Sequence, residues 1–294
     1  MKKLVKWILL TAVVIFGTGT ELKLDAVLAD ASVVADLNQL EHLLVKQLQI
    51  RTEEIVISYT GDKEVLSEAL PQLMRKAIEQ DDYTAYIVDS YFYTLRTWSA
   101  RAKLNISVSY RETPEETAYV NRQTREIVED LITPSMDDHL KVKMIHDWIV
   151  RTLRYDTDYE RYTAYSALTD RRAVCQGYSL LAYKLLQAAG IENTIVEGTV
   201  DTGDHAWNLV RLDGVWYHLD TTWDDPLPDD KDQVSYAYYL KTDEEMRKDH
   251  AWVKSYPRAG HTYVDTLNKL RQEGKESAYL NDIERLITAP SNAS

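Results

Sequence analysis

Cys175 is the sole cysteine among 294 residues. It stands in "AVCQGYSLLAYKLLQAAG", where Tyr178, Leu181, Ala182, Leu185, Leu186 and Ala189 follow it at helical spacing. This pattern predicts one helix that opens at or just before Cys175 and stops at Gly190, a residue free to take left-handed backbone. At a helix opening the first N–H groups lack intrahelical partners and the dipole is positive, so an anion such as a thiolate is stabilised there. The same amides, that of Gln176 in particular, can donate to a developing oxyanion, the second requirement of acyl transfer. Gly177 lets a substrate or strand approach closely. A buried spare thiol is the competing reading of a lone cysteine. A neighbouring base separates the two.

That base is offered by "GDHAWNLVRLDGVWYHLDTTWDDP", two alternating strands about Asp213-Gly214, a dipeptide suited to a two-residue type I′ turn. If Leu212 pairs with Val215, then His205, Trp207, His218 and Asp220 share one face. His205 and Asp220 become diagonal neighbours with backbones about 7–8 Å apart, within reach of an imidazole–carboxylate contact. A one-residue slip would destroy the arrangement. A carboxylate on one imidazole nitrogen fixes the tautomer and leaves the other nitrogen to take a thiol proton. Cys175, His205 and Asp220 are therefore the candidate catalytic residues. Gln176, Trp207 and Trp223 are candidates for oxyanion and substrate contacts, the two tryptophans as walls that exclude water. Asn208 falls on the opposite face and receives no catalytic role.

No metal is expected. His218 and His250 could join Cys175 and Asp220 in a ligand set, but HExxH and CxxC spacings are absent. The run Asp224, Asp225, Asp229, Asp230 and Asp232 lacks the spacing and glycine of a calcium loop, and reads as a solvated loop.

The elements that must position these groups follow from periodicity. Val34, Leu37, Leu40, Leu44 and Leu48, then "EEIVISYT", then the stripe from Val65 to Ile78 with Pro71 as a kink or break, predict helix, strand and helix. "AYIVDSYFYTLRTWS" and "KLNISVSY" read as extended, so residues 32–111 form an α/β module. "TPEE" opens a helix to about Leu131, and Ser135 opens another ending near "LRYDT". The candidate catalytic domain occupies residues 112–260. Surface helices and a tail follow over 261–294.

The first 29 residues pair a basic start with an apolar run of about a dozen residues, too short for the roughly 20 of a spanning helix. They read as a signal peptide, with an uncleaved anchor as the other reading. The expected location is secreted or cell-envelope associated, with no transmembrane domain in the mature form. An apolar fraction of 45% supplies a core, while a net charge of −13 argues against a nucleic-acid partner. An anionic envelope polymer could approach only through a local basic patch. One cysteine also forbids an internal disulfide.

With these residues placed, the chain resembles the transglutaminase-like superfamily, a branch of the papain-like cysteine fold. The likeness is carried by "AVCQGYSLLAYKLLQAAGI", the hairpin above, "DHLKVKMIHDWIVRTLRYDT" and, more loosely, "YYLKTDEEMRKDHAW". It implies an α+β core, with the nucleophile on a central helix packed on an antiparallel sheet. By position Cys175 corresponds to the nucleophile, His205 to the base and Asp220 to its orienting acid. The implied chemistry is cofactor-free acyl transfer through a thioester, from a carboxamide or peptide bond of a protein or peptide to an amine or water. A non-catalytic envelope binding module on the same fold is the alternative.

Overall fold

The computed structural model describes residues 12–16, 32–225, 233–274 and 278–288. The chain divides into two compact units that meet in sequence between Pro114 and Glu115. Most of the expected signal peptide lies outside the described residues, except Ala12–Phe16, which form strand β1. No helix among the described residues is long and apolar enough to cross a membrane.

The first unit contains β1, β2 (Ser32–Val34), α1 (Leu37–Gln49), β3 (Glu54–Tyr59), α2 (Lys63–Glu79), α3 (Asp82–Ile87), β4 (Val88–Thr97) and β5 (Ala102–Tyr110). Its described strands form one sheet in the order β1-β4-β5-β3-β2, antiparallel in the middle and parallel at both edges. Alternation in β5 puts Ala102, Leu104, Ile106 and Val108 on a buried face. They share one core with Leu40, Leu44 and Leu48 of α1 and with Leu66, Leu70 and Met74 of α2. Three local expectations change. Val34 ends β2 instead of opening the α1 stripe, because the Asp36 side chain caps that helix by accepting from Gln39 N. Pro71 sits within an unbroken α2, whose buried stripe continues on both sides of it. The extended reading from Ala85 gives way to α3 over its first residues, because the Asp81 side chain caps that helix by accepting from Thr84 N.

The second unit begins with α4 (Pro114–Leu131) and α5 (Asp138–Thr152). The cap of α5 is Asp137 rather than Ser135, its side chain accepting from Leu140 N. After β6 (Arg154–Tyr155), α6 (Ala164–Asp170) and β7 (Arg172–Ala173) comes α7 (Cys175–Ala188), followed by β8 (Asn193–Val200), β9 (Gly203–Leu212) and β10 (Val215–Leu219). The sheet β10-β9-β8 is antiparallel throughout. Cys175 to Ala182 are all buried, since α7 is enclosed by α5, α6 and the β8/β9 surface. The unit is thus α+β, with the cysteine helix central on an antiparallel sheet. Beyond it lie α8 (Asp243–Met246), α9 (Tyr263–Gln272) and α10 (Ala278–Thr288).

Candidate active site

The hairpin register is the one expected from the turn: Val215 pairs with Leu212, Trp216 with Arg211 and His218 with Leu209. Asp213 (φ 48°) and Gly214 (φ 83°) both take positive φ, as a type I′ turn requires. Helix α7 begins at Cys175 with no side-chain cap at Val174, and Gly190 beyond its end is left-handed (φ 78°). The helix is tied to β9 by Ser179, whose Oγ donates to the carbonyls of Cys175 (2.9 Å) and Ala206 (2.7 Å). Asn208 Nδ2 adds a bond to Ser179 O at 3.1 Å. Asn208 therefore faces α7 and fastens the cysteine helix to the strand that carries His205.

His205 Nε2 lies 2.6 Å from Asp220 Oδ2, and Cys175 is near enough to the ring to help raise its pKa. All three residues are buried, Cys175 retaining 7% exposure. Burial opposes a charged imidazole, but the Asp220 carboxylate, helped by Cys175, outweighs it and holds the His205 pKa up to about 10. Asp220 is likewise opposed by burial, yet His205 and His250 keep it well below the usual carboxylate range. Its Oδ1 accepts from the backbone N–H groups of Thr222 (3.0 Å) and Trp223 (3.2 Å), so the carboxylate is held from both ends.

Aromatic rings enclose the imidazole. Trp207 stacks on His205 at 5.6 Å and 23°, and Trp223 lies 5.9 Å away. Trp207 is fully buried beneath His205, with Nε1 donating to His218 Nδ1 at 2.8 Å. His218 Nε2 in turn meets Asp243 Oδ1 at 2.9 Å. Burial lowers the His218 pKa despite Asp243, which favours the neutral ring whose Nδ1 can accept from tryptophan. Trp223 is only half-buried, and Gln176 is buried as the second residue of α7.

Three features were not anticipated. Tyr155 in β6 stands near Cys175: burial raises its phenol pKa, with a smaller contribution from Cys175. Asp224 and Asp225 are buried rather than solvated. Asp224 accepts from His146 Nε2 (3.0 Å), Ser235 Oγ (3.1 Å) and Tyr238 N (2.9 Å), and Asp225 from Tyr178 Oη (2.5 Å). Asp229, Asp230 and Asp232 lie outside the described residues. His250, weighed from sequence only as a metal ligand, is buried with Nε2 3.1 Å from Asp220 Oδ2. The available signal was the tetrapeptide Asp-His-Ala-Trp, present at 204–207 and again at 249–252.

His205, Asp220 and His250 offer ligand atoms within 4.8 Å of one another. Hydrogen bonding accounts for that grouping, because both imidazoles address one carboxylate oxygen. The arrangement can take a proton from a thiol and return it to a leaving group in a site largely closed to water.

Residues 125–221 match the model of the transglutaminase-like superfamily. Among characterised relatives, it is similar to kyphoscoliosis peptidase of Mus musculus, 30% identical over 122 residues, or 35% of this chain and 18% of that protein. It is 24% identical over 232 residues to kyphoscoliosis peptidase of Homo sapiens, covering 65% of this chain and 35% of that one. The chain thus matches only about a third or less of these relatives' length. A solved structure described as a TGase aligns with 65% of this chain and 59% of its own, at 14% identity and TM-score 0.35.

Proposed function

We propose that the protein is an exported cysteine-dependent acyl-transfer enzyme acting on a carboxamide or peptide bond of a protein or peptide. The observation that supports this reading is the buried imidazole of His205, 2.6 Å from the Asp220 carboxylate and with its pKa raised in part by the nearby Cys175. With Nε2 committed to Asp220, Nδ1 is the nitrogen that takes the Cys175 proton. The thiolate attacks the acyl carbon, and the opening N–H groups of α7, including that of Gln176, receive the oxyanion. Collapse breaks the C–N bond, His205 protonates the departing amine, and an acyl thioester remains on Cys175. An amine or a water then attacks the thioester, giving up its proton to His205, and restores the thiol. Trp223, half-buried beside the imidazole, is the wall available to a substrate.

Incubation of the protein with a glutamine-containing protein and a fluorescent amine tests the reading. Label joined to the protein substrate identifies a transferase, and cleavage fragments identify a hydrolase. Either outcome must vanish in Cys175→Ala. Neither product, together with no acyl adduct on Cys175 by mass spectrometry, would leave the binding-module alternative.

A further inference from the structure

We propose that His250 is a positioning residue for the Asp220–His205 pair, sharing the carboxylate oxygen that His205 uses and being fixed from behind by Asp249. The proposal rests on the triad reading above. Asp220 Oδ2 meets His205 Nε2 at 2.6 Å and His250 Nε2 at 3.1 Å. The other His250 nitrogen, Nδ1, meets Asp249 Oδ1 at 2.5 Å, and Asp249 Oδ2 accepts from Tyr238 Oη at 2.7 Å. The result is a continuous line from Tyr238 through Asp249, His250 and Asp220 to His205 and the thiol. Two imidazole rings, each in an Asp-His-Ala-Trp stretch, thus converge on one oxygen.

The backbone is arranged to deliver the second ring. His250 N donates to Met246 O, while Ala251 and Thr199 exchange two hydrogen bonds (2.7 and 2.8 Å), locking the segment onto β8 opposite the β9 side. Gly198, paired with His205 across β8 and β9, clears the space: a Cβ there would lie 2.3 Å from Ala251 O and 2.6 Å from the Trp207 ring. The His250 ring packs 4.5 Å from Trp223 and 5.0 Å from Trp207. The titratable groups around it are Asp220 and His205 on one side, Asp249 and Tyr238 on the other, and His218, which packs against the same Trp207 ring.

An oxygen divided between two N–H donors accepts less strongly from each. His250 therefore moderates the hold of Asp220 on His205, keeping the imidazolium acidic enough to protonate a leaving group. If His250 lost its donor, Oδ2 would serve His205 alone and the ring would keep its proton to higher pH.

The test is the rate of Cys175 alkylation by iodoacetamide against pH, which reports this thiol alone because there is no other. His250→Phe should raise the upper inflection, assigned to His205, by about one pH unit. Asp249→Asn, at a partly exposed position, should move it the same way by less. His250→Gln, whose amide can donate from the Nε2 position, should return it close to the parent value. An unmoved inflection in folded His250→Phe and Asp249→Asn, or a Gln variant as displaced as Phe, would overturn the positioning role. A parent protein whose alkylation ignores His205→Ala would overturn the triad reading itself, a separate result.

Discussion

Replacing Asp220 by Asn tests the electrostatic core of the site with little change of shape. Asn can still accept from Thr222 N and Trp223 N through its oxygen, but it turns an NH2 group toward the two imidazole nitrogens that now donate to Oδ2. His205 must then present a bare Nε2, so the ring gives up that proton and becomes neutral, keeping the one on Nδ1, the nitrogen left for the thiol. The interval between the ordinary 6.5 and about 10 corresponds to ~5 kcal/mol at about 1.4 kcal/mol per pH unit. Breaking a buried pair typically costs about 3–5 kcal/mol, a fall in Tm of roughly 10 °C. The sign of the pH dependence follows from the raised pKa: this stabilisation is complete below about pH 6.5 and is lost as pH rises through about 10. Melting curves of parent and variant should therefore differ most near pH 6 and converge toward pH 10. Nitrogen-15 NMR of the ring should report an imidazolium in the parent and a neutral ring without its Nε2 proton in the variant. A Tm difference constant across that range, or an unchanged ring protonation state, would refute the reasoning.

Gly198→Ala should destabilise by about 1–3 kcal/mol through overpacking against Ala251 O and the Trp207 ring, and it should slow alkylation of Cys175. Normal melting and normal reactivity would show that the close approach is not required. His146→Phe should cost about 3–5 kcal/mol by stranding the buried Asp224 carboxylate. Burial opposes the charge on His146, but Asp147 and Asp224 raise its pKa above 6.5. Its contribution is therefore full below about pH 6.5 and fades as pH rises through the raised value. Thermal melts at several pH values check this, and a deficit that grows with pH would contradict it.

The hairpin and the cysteine helix were legible because local chemistry dictates both. Asp213-Gly214 admits one tight turn and so one register. The apolar stripe from Cys175 to Ala189, closed by Gly190, has a helical period. The acidic stretch misled because composition describes the chain alone, whereas Asp224 and Asp225 are buried by His146 and Tyr178, which lie 78 and 47 residues away. His250 was hidden for the same reason: its Asp220 partner is 30 residues distant, and no periodicity brings them together. Tyr155 belongs to a two-residue strand, too short to carry a pattern of its own.

The central claim is that His205 acts on the thiol of Cys175, and iodoacetamide alkylation against pH in the parent protein and in His205→Ala measures it directly. The account predicts rapid alkylation near neutral pH in the parent, with a second inflection near pH 10 as His205 loses its proton. In His205→Ala it predicts slow alkylation with a single inflection. Superimposable profiles in two folded proteins would contradict it.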